Sequence, residues 1–276
     1  MSPNTVFLNH TFIDAAQASL LITDLSIQRG YGIFDFFKTV NGKSIFLDDH
    51  IERFYNSAKK MHLHVSQSPA ELKAIITELM QRNNLPDSGI KMTLTGGYSD
   101  DAYILPAAQN LIITQQPLTT SKSLQSEGMT LVTYCYQRQL SEMKTLDYSM
   151  AIWLQPFIKE NKADDVLYQY NGLVKETPRA NFFIVTNEGE VITAKNDILS
   201  GITRKNIITL RDSGFQITER DFTLEELYNA SEAFITSTTK NIFPVLKIDR
   251  KEIGEGKAGK ITAQLSALLF EKMREI

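Results

Sequence analysis

The sequence predicts a mixed helix-and-strand protein divided into two domains, and three observations predict it. The chain has 276 residues, more than one ordinary domain requires and ample for a sizeable core. Apolar residues recur at helical spacing in some stretches and in short β-rich runs in others, interleaved along the chain. A polar, proline-marked stretch without periodicity, residues 116–121, separates two such series. It sets the boundary between a small N-terminal domain, 1–117, and a larger C-terminal domain, 118–276.

The first series opens with β-type runs at 5–9 and 11–13 around an Asn9-His10 turn, read as a hairpin. After a polar loop, Arg29-Gly30-Tyr31-Gly32-Ile33-Phe34-Asp35 sets two glycines against an aromatic run, as where backbone must approach a neighbour closely before a strand begins. Asp48 and Asp49 can cap a helix with Ile51, Phe54, Ala58 and Met61 on one face. Arg53 lies beside that stripe, able to turn its planar fork toward a phosphate or carboxylate or to reach water. A second helix, 70–82, stops at Asn83-Asn84-Leu85-Pro86. The strand 90–94 then runs into Thr95-Gly96-Gly97-Tyr98-Ser99-Asp100-Asp101, a loop able to rim a site, and a buried strand follows at 111–114.

In the second series a strand at 129–136 leads to Glu142-Met143-Lys144-Thr145-Leu146-Asp147-Tyr148. A lysine amine becomes an imine-forming nucleophile when its surroundings lower its pKa; alone, such a lysine is more often simply solvated. A helix follows, shortened or kinked by Pro156. Asn171-Gly172 suits a type I′ turn between β-rich runs and delivers Glu176 to a strand end, where Thr177-Pro178-Arg179-Ala180-Asn181 interrupts the pattern before the strand 182–185. Leu199-Ser200-Gly201-Ile202-Thr203-Arg204 opens a helix running through Leu210 to Ser213-Gly214, and a glycine-hydroxyl helix start offers free N–H groups to a phosphate. The strand 233–235 ends in four hydroxyls, Thr236-Ser237-Thr238-Thr239, read either as an anion site or as an ordinary polar loop.

Composition narrows the partners. A formal net charge of −3 leaves no basic footprint for nucleic acid, and no apolar run approaches membrane-spanning length, so a small-molecule partner is expected. The single Cys135 cannot form an internal disulfide, and Met1-Ser2-Pro3-Asn4 lacks the start of a signal peptide, so a cytoplasmic location is expected. Two apparent motifs are set aside. Gly254-Glu255-Gly256-Lys257-Ala258-Gly259 matches a dinucleotide pattern in letters, but the chain ends before the second strand and its acidic residue about twenty residues on. His62 and His64 have no companion ligands for a metal.

A lysine, a carboxylate, a tyrosine, an arginine and two hydroxyl-rich turns are the inventory for holding pyridoxal phosphate. Their order resembles the class IV aminotransferases, pyridoxal-phosphate enzymes of fold type IV that include branched-chain and D-amino-acid aminotransferases and aminodeoxychorismate lyases. Six motifs carry the resemblance across almost the whole chain: Arg29-Gly30-Tyr31-Gly32-Ile33-Phe34, His50-Ile51-Glu52-Arg53-Phe54, Lys144-Thr145-Leu146-Asp147-Tyr148, Glu176-Thr177-Pro178-Arg179-Ala180-Asn181-Phe182-Phe183, Leu199-Ser200-Gly201-Ile202-Thr203-Arg204 and Ser237-Thr238-Thr239. The resemblance implies an α+β fold, with a small α/β N-terminal domain, a larger C-terminal domain and the cofactor between them. By it, Lys144 would carry the cofactor and shuttle the proton, Glu176 would pair with the pyridine nitrogen, and Tyr148 would bond the phenolic oxygen. Arg53, Gly201, Ile202, Thr203 and Thr238 would bind the phosphate, with Leu199 on the ring face. A homodimer is also implied, in which Arg29 and the loop 95–101 are candidates to close the partner's pocket.

For the substrate, the candidates are Arg29, Phe34, Lys91, Arg179 and Thr239. The best-known D-amino-acid enzymes carry an arginine and histidines in the loop that reads Thr95-Gly96-Gly97-Tyr98-Ser99-Asp100-Asp101 here, and often a tyrosine where Phe34 stands. Branched-chain enzymes usually follow the glycine run with an acidic-Gly-(Ile/Leu)-Arg sequence, where this chain has Asp35-Phe36-Phe37-Lys38. The run 29–35 and Arg179 are similar to an atypical D-amino-acid group. The reading is therefore an aminotransferase between an amino acid, with a lean to D-amino acids, and a 2-oxo acid such as 2-oxoglutarate. The alternatives are a branched-chain L-amino-acid aminotransferase, an aminodeoxychorismate lyase releasing pyruvate, and a nicotinamide-binding module resting on the glycine-rich match.

Overall fold

The computed structural model describes residues 5–119, 121, 123–125 and 127–276, so the Met1-Ser2-Pro3-Asn4 start and Thr120 of the expected linker lie outside the described residues. The chain forms two compact units: Met1–Thr119 with Met143–Asp147 and Ile276, and Thr120–Glu142 with Tyr148–Glu275.

The first unit holds β1 (Thr5–Leu8), β2 (Thr11–Asp14), α1 (Leu25–Arg29), β3 (Gly32–Val40), β4 (Lys43–Ser44), α2 (Leu47–Lys60), α3 (Pro69–Asn83), β5 (Ser88–Thr95) and β6 (Leu111–Pro117). The strands form one antiparallel sheet in the order β2-β1-β6-β5-β3-β4. Period-2 alternation sends Ile33 and Phe37 of β3 and Ile90, Met92 and Leu94 of β5 into one core with Ile51 and Phe54 of α2 and Leu72, Ile76 and Leu79 of α3. Each such buried side chain contributes about 1.5–3 kcal/mol of transfer free energy. Ser68 and Glu71 close a capping box on α3, and Asn84 ends it in the left-handed conformation. The start of α2 differs from expectation: Phe46 is its cap residue, and Asp48 and Asp49 lie inside the first turn, where they oppose the positive end of the helix dipole.

The second unit holds β7 (Met129–Cys135), α4 (Ser149–Trp153), α5 (Gln155–Glu160), β8 (Asp165–Tyr170), β9 (Leu173–Val174), β10 (Glu176–Thr177), β11 (Ala180–Val185), β12 (Val191–Thr193), α6 (Ile202–Ile208), β13 (Ile217–Glu219), α7 (Leu224–Tyr228), β14 (Glu232–Ser237), β15 (Asn241–Ile248), β16 (Lys251–Glu252) and α8 (Lys260–Arg274). Its sheet runs β13-β12-β11-β14-β15-β7-β8-β9, with β10 on β11 and β16 on β15, and is parallel at β12/β13, β15/β7 and β7/β8. Phe182, Ile184, Ile192, Ala233 and Ile235 line its main core. Asn171 and Gly172 both take positive φ, as the β8/β9 turn requires. Pro156 divides the expected helix into α4 and α5 at Leu154. The helix expected through Leu210 tightens after Ile208 into a 3-10 turn, Thr209–Ser213, closed by Gly214.

The glycine-rich match near the carboxy terminus has a structural explanation. Gly259 caps α8 with no side chain of its own, and the Glu232 carboxylate accepts from the Ile261 and Thr262 amides at 3.0 and 2.7 Å. A Cβ on Gly259 would lie 1.9 Å from the Glu232 Cδ. The glycine admits an internal carboxylate to the helix start.

Candidate active site

In the first unit the lysine segment is an added edge of β3. The Phe34 amide donates to the Lys144 carbonyl and the Leu146 amide to the Gly32 carbonyl, both within 3.0 Å, and Thr145 bridges Ile33. Gly32 is required by this squeeze, because a Cβ there would lie 2.7 Å from both Leu146 Cδ1 and the Leu94 carbonyl. The Lys144 amine lies 4.6 Å from the centroid of the Phe34 ring, and the Lys91 amine 4.9 Å from the same ring. Phe34, Phe36 and Lys38 pair across the strands with Thr93, Lys91 and Gly89, so this face of the sheet carries two lysines besides Lys144. Burial pushes Lys38 down to about 8 and lowers Lys91 as well.

The other face of β3 carries Asp35, fully buried. Its carboxylate accepts from Arg53 Nε and Nη2, both at 2.8 Å, and meets His50 Nδ1 at 2.7 Å. Burial pushes the carboxyl up, but the Arg53 guanidinium and His50 outweigh it and hold the group well below the usual carboxylate range. Burial keeps His50 below its ordinary value despite the carboxylate. Arg53 is thus aimed by a bidentate pair. Arg29 ends α1 exposed, its Nη1 donating to the Gln28 carbonyl. The loop after β5 is pinned: Leu25 donates to the Gly97 carbonyl, and Asp101 accepts from Ser99, Tyr103 and Ile104.

In the second unit Glu176 is buried on β10. Oε1 accepts from Arg138 Nε at 3.0 Å, and Oε2 accepts from the Asn181 Nδ2 at 3.2 Å and the Leu199 amide at 3.1 Å. Asn181 also donates to the Leu199 carbonyl at 2.7 Å, locking that segment to the carboxylate. Gly201 lies so close that a Cβ there would sit 2.0 Å from Asn181 Oδ1. The pairing Glu176–Asn181–Thr236 puts these side chains on one face of the sheet, where α6 packs on β14. Thr236 Oγ1 is buried on that face without a hydrogen-bond partner among the described residues. Gly201 gives α6 no side-chain cap, Thr238 is half-buried beyond β14, and Thr239 is exposed. Tyr148 stands at the start of α4. Arg179 is largely exposed, 3.7 Å from Asp165.

Within the first unit the structure therefore gathers Lys144, Phe34 and Lys91 on one face of β3 and Arg53 on the other, with Arg29 apart from them on α1. Within the second it gathers Glu176, Leu199 and Gly201 around Asn181. Three supporting groups carry no assigned role in the sequence reading. Asp35 is an acidic residue on the strand's apolar face, a signal readable by alternation; Arg138 and Asn181 reach Glu176 only through the fold.

The architecture is that of the fold type IV enzymes, as superposition on their solved structures shows. Residues 32–248 match the family model for amino-transferase class IV, and the chain belongs to that family and is an aminotransferase. It is 30% identical over 270 residues to D-alanine aminotransferase of Bacillus licheniformis, covering 96% of this chain and 95% of that one. It is also 30% identical over 287 residues to a Methanocaldococcus jannaschii protein provisionally named a branched-chain-amino-acid aminotransferase, covering 98% and 96%. Among solved structures, the T.th. branched-chain amino acid aminotransferase with pyridoxamine 5'-phosphate superposes with a TM-score of 0.90 at 23% identity, covering 100% of this chain and 96% of that one.

Proposed function

We propose that this aminotransferase uses pyridoxal 5'-phosphate to move an amino group between a D-amino acid and a 2-oxo acid such as 2-oxoglutarate, working as a cytoplasmic homodimer. The observation that carries the cofactor reading is Glu176, a buried carboxylate held by three N–H donors, an arrangement suited to facing a cationic heterocycle nitrogen. The partnerless Thr236 hydroxyl on the same face fits a polar group taken up there. Bound, the cofactor supplies an electron sink that stabilises negative charge at the substrate Cα.

The chain's residues do the rest. Lys144 attaches the cofactor and carries the proton, and Tyr148 and Glu176 orient the ring. Leu199 packs on the ring face, and Arg53, Gly201, Ile202, Thr203 and Thr238 take the phosphate. Arg29, Phe34, Lys91, Arg179 and Thr239 serve the substrate, with cationic groups meeting carboxylates. The small domain 1–117 and the large cofactor-binding domain 118–276 divide this work. A dimer is supported by Leu21, Ile22, Ile27, Tyr103 and Ile104, large apolar side chains exposed beside Arg29 and the loop after β5.

The test is borohydride reduction followed by peptide mapping: wild type is expected to retain the cofactor on Lys144, and Lys144→Ala to retain none. Labelling of the variant elsewhere defeats the lysine assignment. A panel of D- and L-amino acids, scored by the spectral change of bound cofactor, tests the stereochemistry; response to branched-chain L-amino acids alone selects that alternative. Pyruvate release without an acceptor selects the lyase.

A further inference from the structure

Glu176 is not held by equal partners. Its Oε2 meets two neutral N–H groups, from Asn181 and the Leu199 amide. Its Oε1 meets Arg138, an interior arginine whose side chain is 16% exposed against 6% for the glutamate. The remaining reach of the guanidinium is spent on the backbone, where Nη2 donates to the Ser141 carbonyl. The nearby Arg204 is already matched by Glu219 at 2.9 Å. Arg138 is a cation hydrogen-bonded directly to this carboxylate.

That matters for any base that shares a proton with Glu176. In a buried acid–base pair, loss of solvent favours the neutral arrangement, with the proton on the carboxyl and none on the partner. A cation in hydrogen-bond contact works against this, lowering a carboxyl by about one to three pH units, and each N–H donated to the anion adds to it. At Glu176 these three donors favour the anion, and among them only Arg138 adds a full charge.

We infer that Arg138 is a positioning residue that keeps the shared proton on the cofactor's ring nitrogen rather than on Glu176. This rests on the reading of Glu176 as that nitrogen's partner. No bond to carbon changes; the proton stays on nitrogen because Arg138 weakens the competing base. The second contact of Arg138, to Ser141, fixes the guanidinium so that the charge stays beside Oε1.

The experiment reconstitutes wild type, Arg138→Met and Arg138→Lys with pyridoxal phosphate carrying a nitrogen-15 ring label, and reads the ring nitrogen by NMR across mildly acid to mildly alkaline pH, together with cofactor affinity. Wild type is expected to show a protonated nitrogen throughout. In Arg138→Met the signal should move toward unprotonated pyridine, with a titration displaced by about one to three pH units, and Arg138→Lys should restore most of the wild-type signal. A merely structural arginine would alter affinity in both variants and leave the nitrogen shift unmoved, which overturns the inference. A wild type that binds the label with an unprotonated nitrogen overturns it alone, whether or not the variants fold. A wild type that retains no label overturns the cofactor reading with it.

Discussion

Two interior carboxylate–arginine pairs, Asp35–Arg53 in the first unit and Glu176–Arg138 in the second, are held by different hydrogen-bond patterns. At Asp35–Arg53 both carboxylate oxygens are engaged by the arginine fork, and the carboxylate is 0% exposed against 11% for the arginine. The carboxylate is the anchor and the arginine is presented. At Glu176–Arg138 the arginine gives one N–H to one oxygen and turns its other end to backbone, while neutral donors serve the second oxygen. Here too the carboxylate is the more buried partner, 6% against 16%, but its hold is shared between the arginine and neutral donors. On the proposed function the first pattern aims an arginine at a phosphate and the second holds a carboxylate for a ring nitrogen.

If that contrast holds, its largest consequence is in stability. Asp35→Ala strands Arg53 and His50 in the interior and should cost about 3–5 kcal/mol in denaturant unfolding. A cost no greater than that of an exposed charge would remove the anchor role. The same pair has an acid limit: because the folded carboxyl lies below its unfolded range, its contribution is fully present above the unfolded range and is lost as pH falls from there through the folded group's lower range.

A further buried cation sharpens the comparison, since Lys38 sits on the opposite face of β3 and burial holds it at about 8. The unfolded chain keeps its proton up to the ordinary lysine range, so wild-type stability should rise relative to Lys38→Met between about pH 8 and pH 10.5, by up to about 3 kcal/mol. Parallel pH profiles of the two proteins would mean that Lys38 is solvated. Smaller again, Gly201→Ala pushes Asn181 off Glu176 and should cost about 1–3 kcal/mol while leaving the Asp35 pair untouched. An alanine variant that still grips Glu176 would separate the glycine from the carboxylate. Arg179→Ala should change folding by less than about 0.5 kcal/mol and raise KM for the amino acid; an unchanged KM removes Arg179 from the substrate side.

The parts that were readable in advance are those written locally. Asn171-Gly172 and Pro156 each act through neighbouring residues, and the structure contains both; the glycine run announced a close approach, which at Gly32 comes from the distant Leu94 and Leu146. The unreadable parts join distant positions. Nothing adjacent to Asp35 in the chain announces Arg53, and nothing near Glu176 announces Arg138, 38 residues earlier. Asp48 and Asp49 looked like caps because the pattern cannot tell a cap from a first turn; the left-handed Phe46 decides that. The glycine-rich match was set aside on chain length alone, because letters do not disclose that the anion at that helix start is the protein's own Glu232.

The lysine strand also sets an order of assembly. Its partner Ile33 lies about 110 residues upstream, and all the other strands of that sheet are complete by Pro117. During synthesis the first unit therefore emerges with its β3 edge uncovered at Ile33, and the chain must lay down Met129–Cys135 of the second sheet before the covering segment exists. A fragment ending at Thr119 would display that edge permanently, inviting a foreign strand or a short peptide of sequence Met143–Asp147 to dock there. The Met143–Asp147 segment is thus a late-arriving cover strip, and its delivery couples the completion of one unit to the growth of the other.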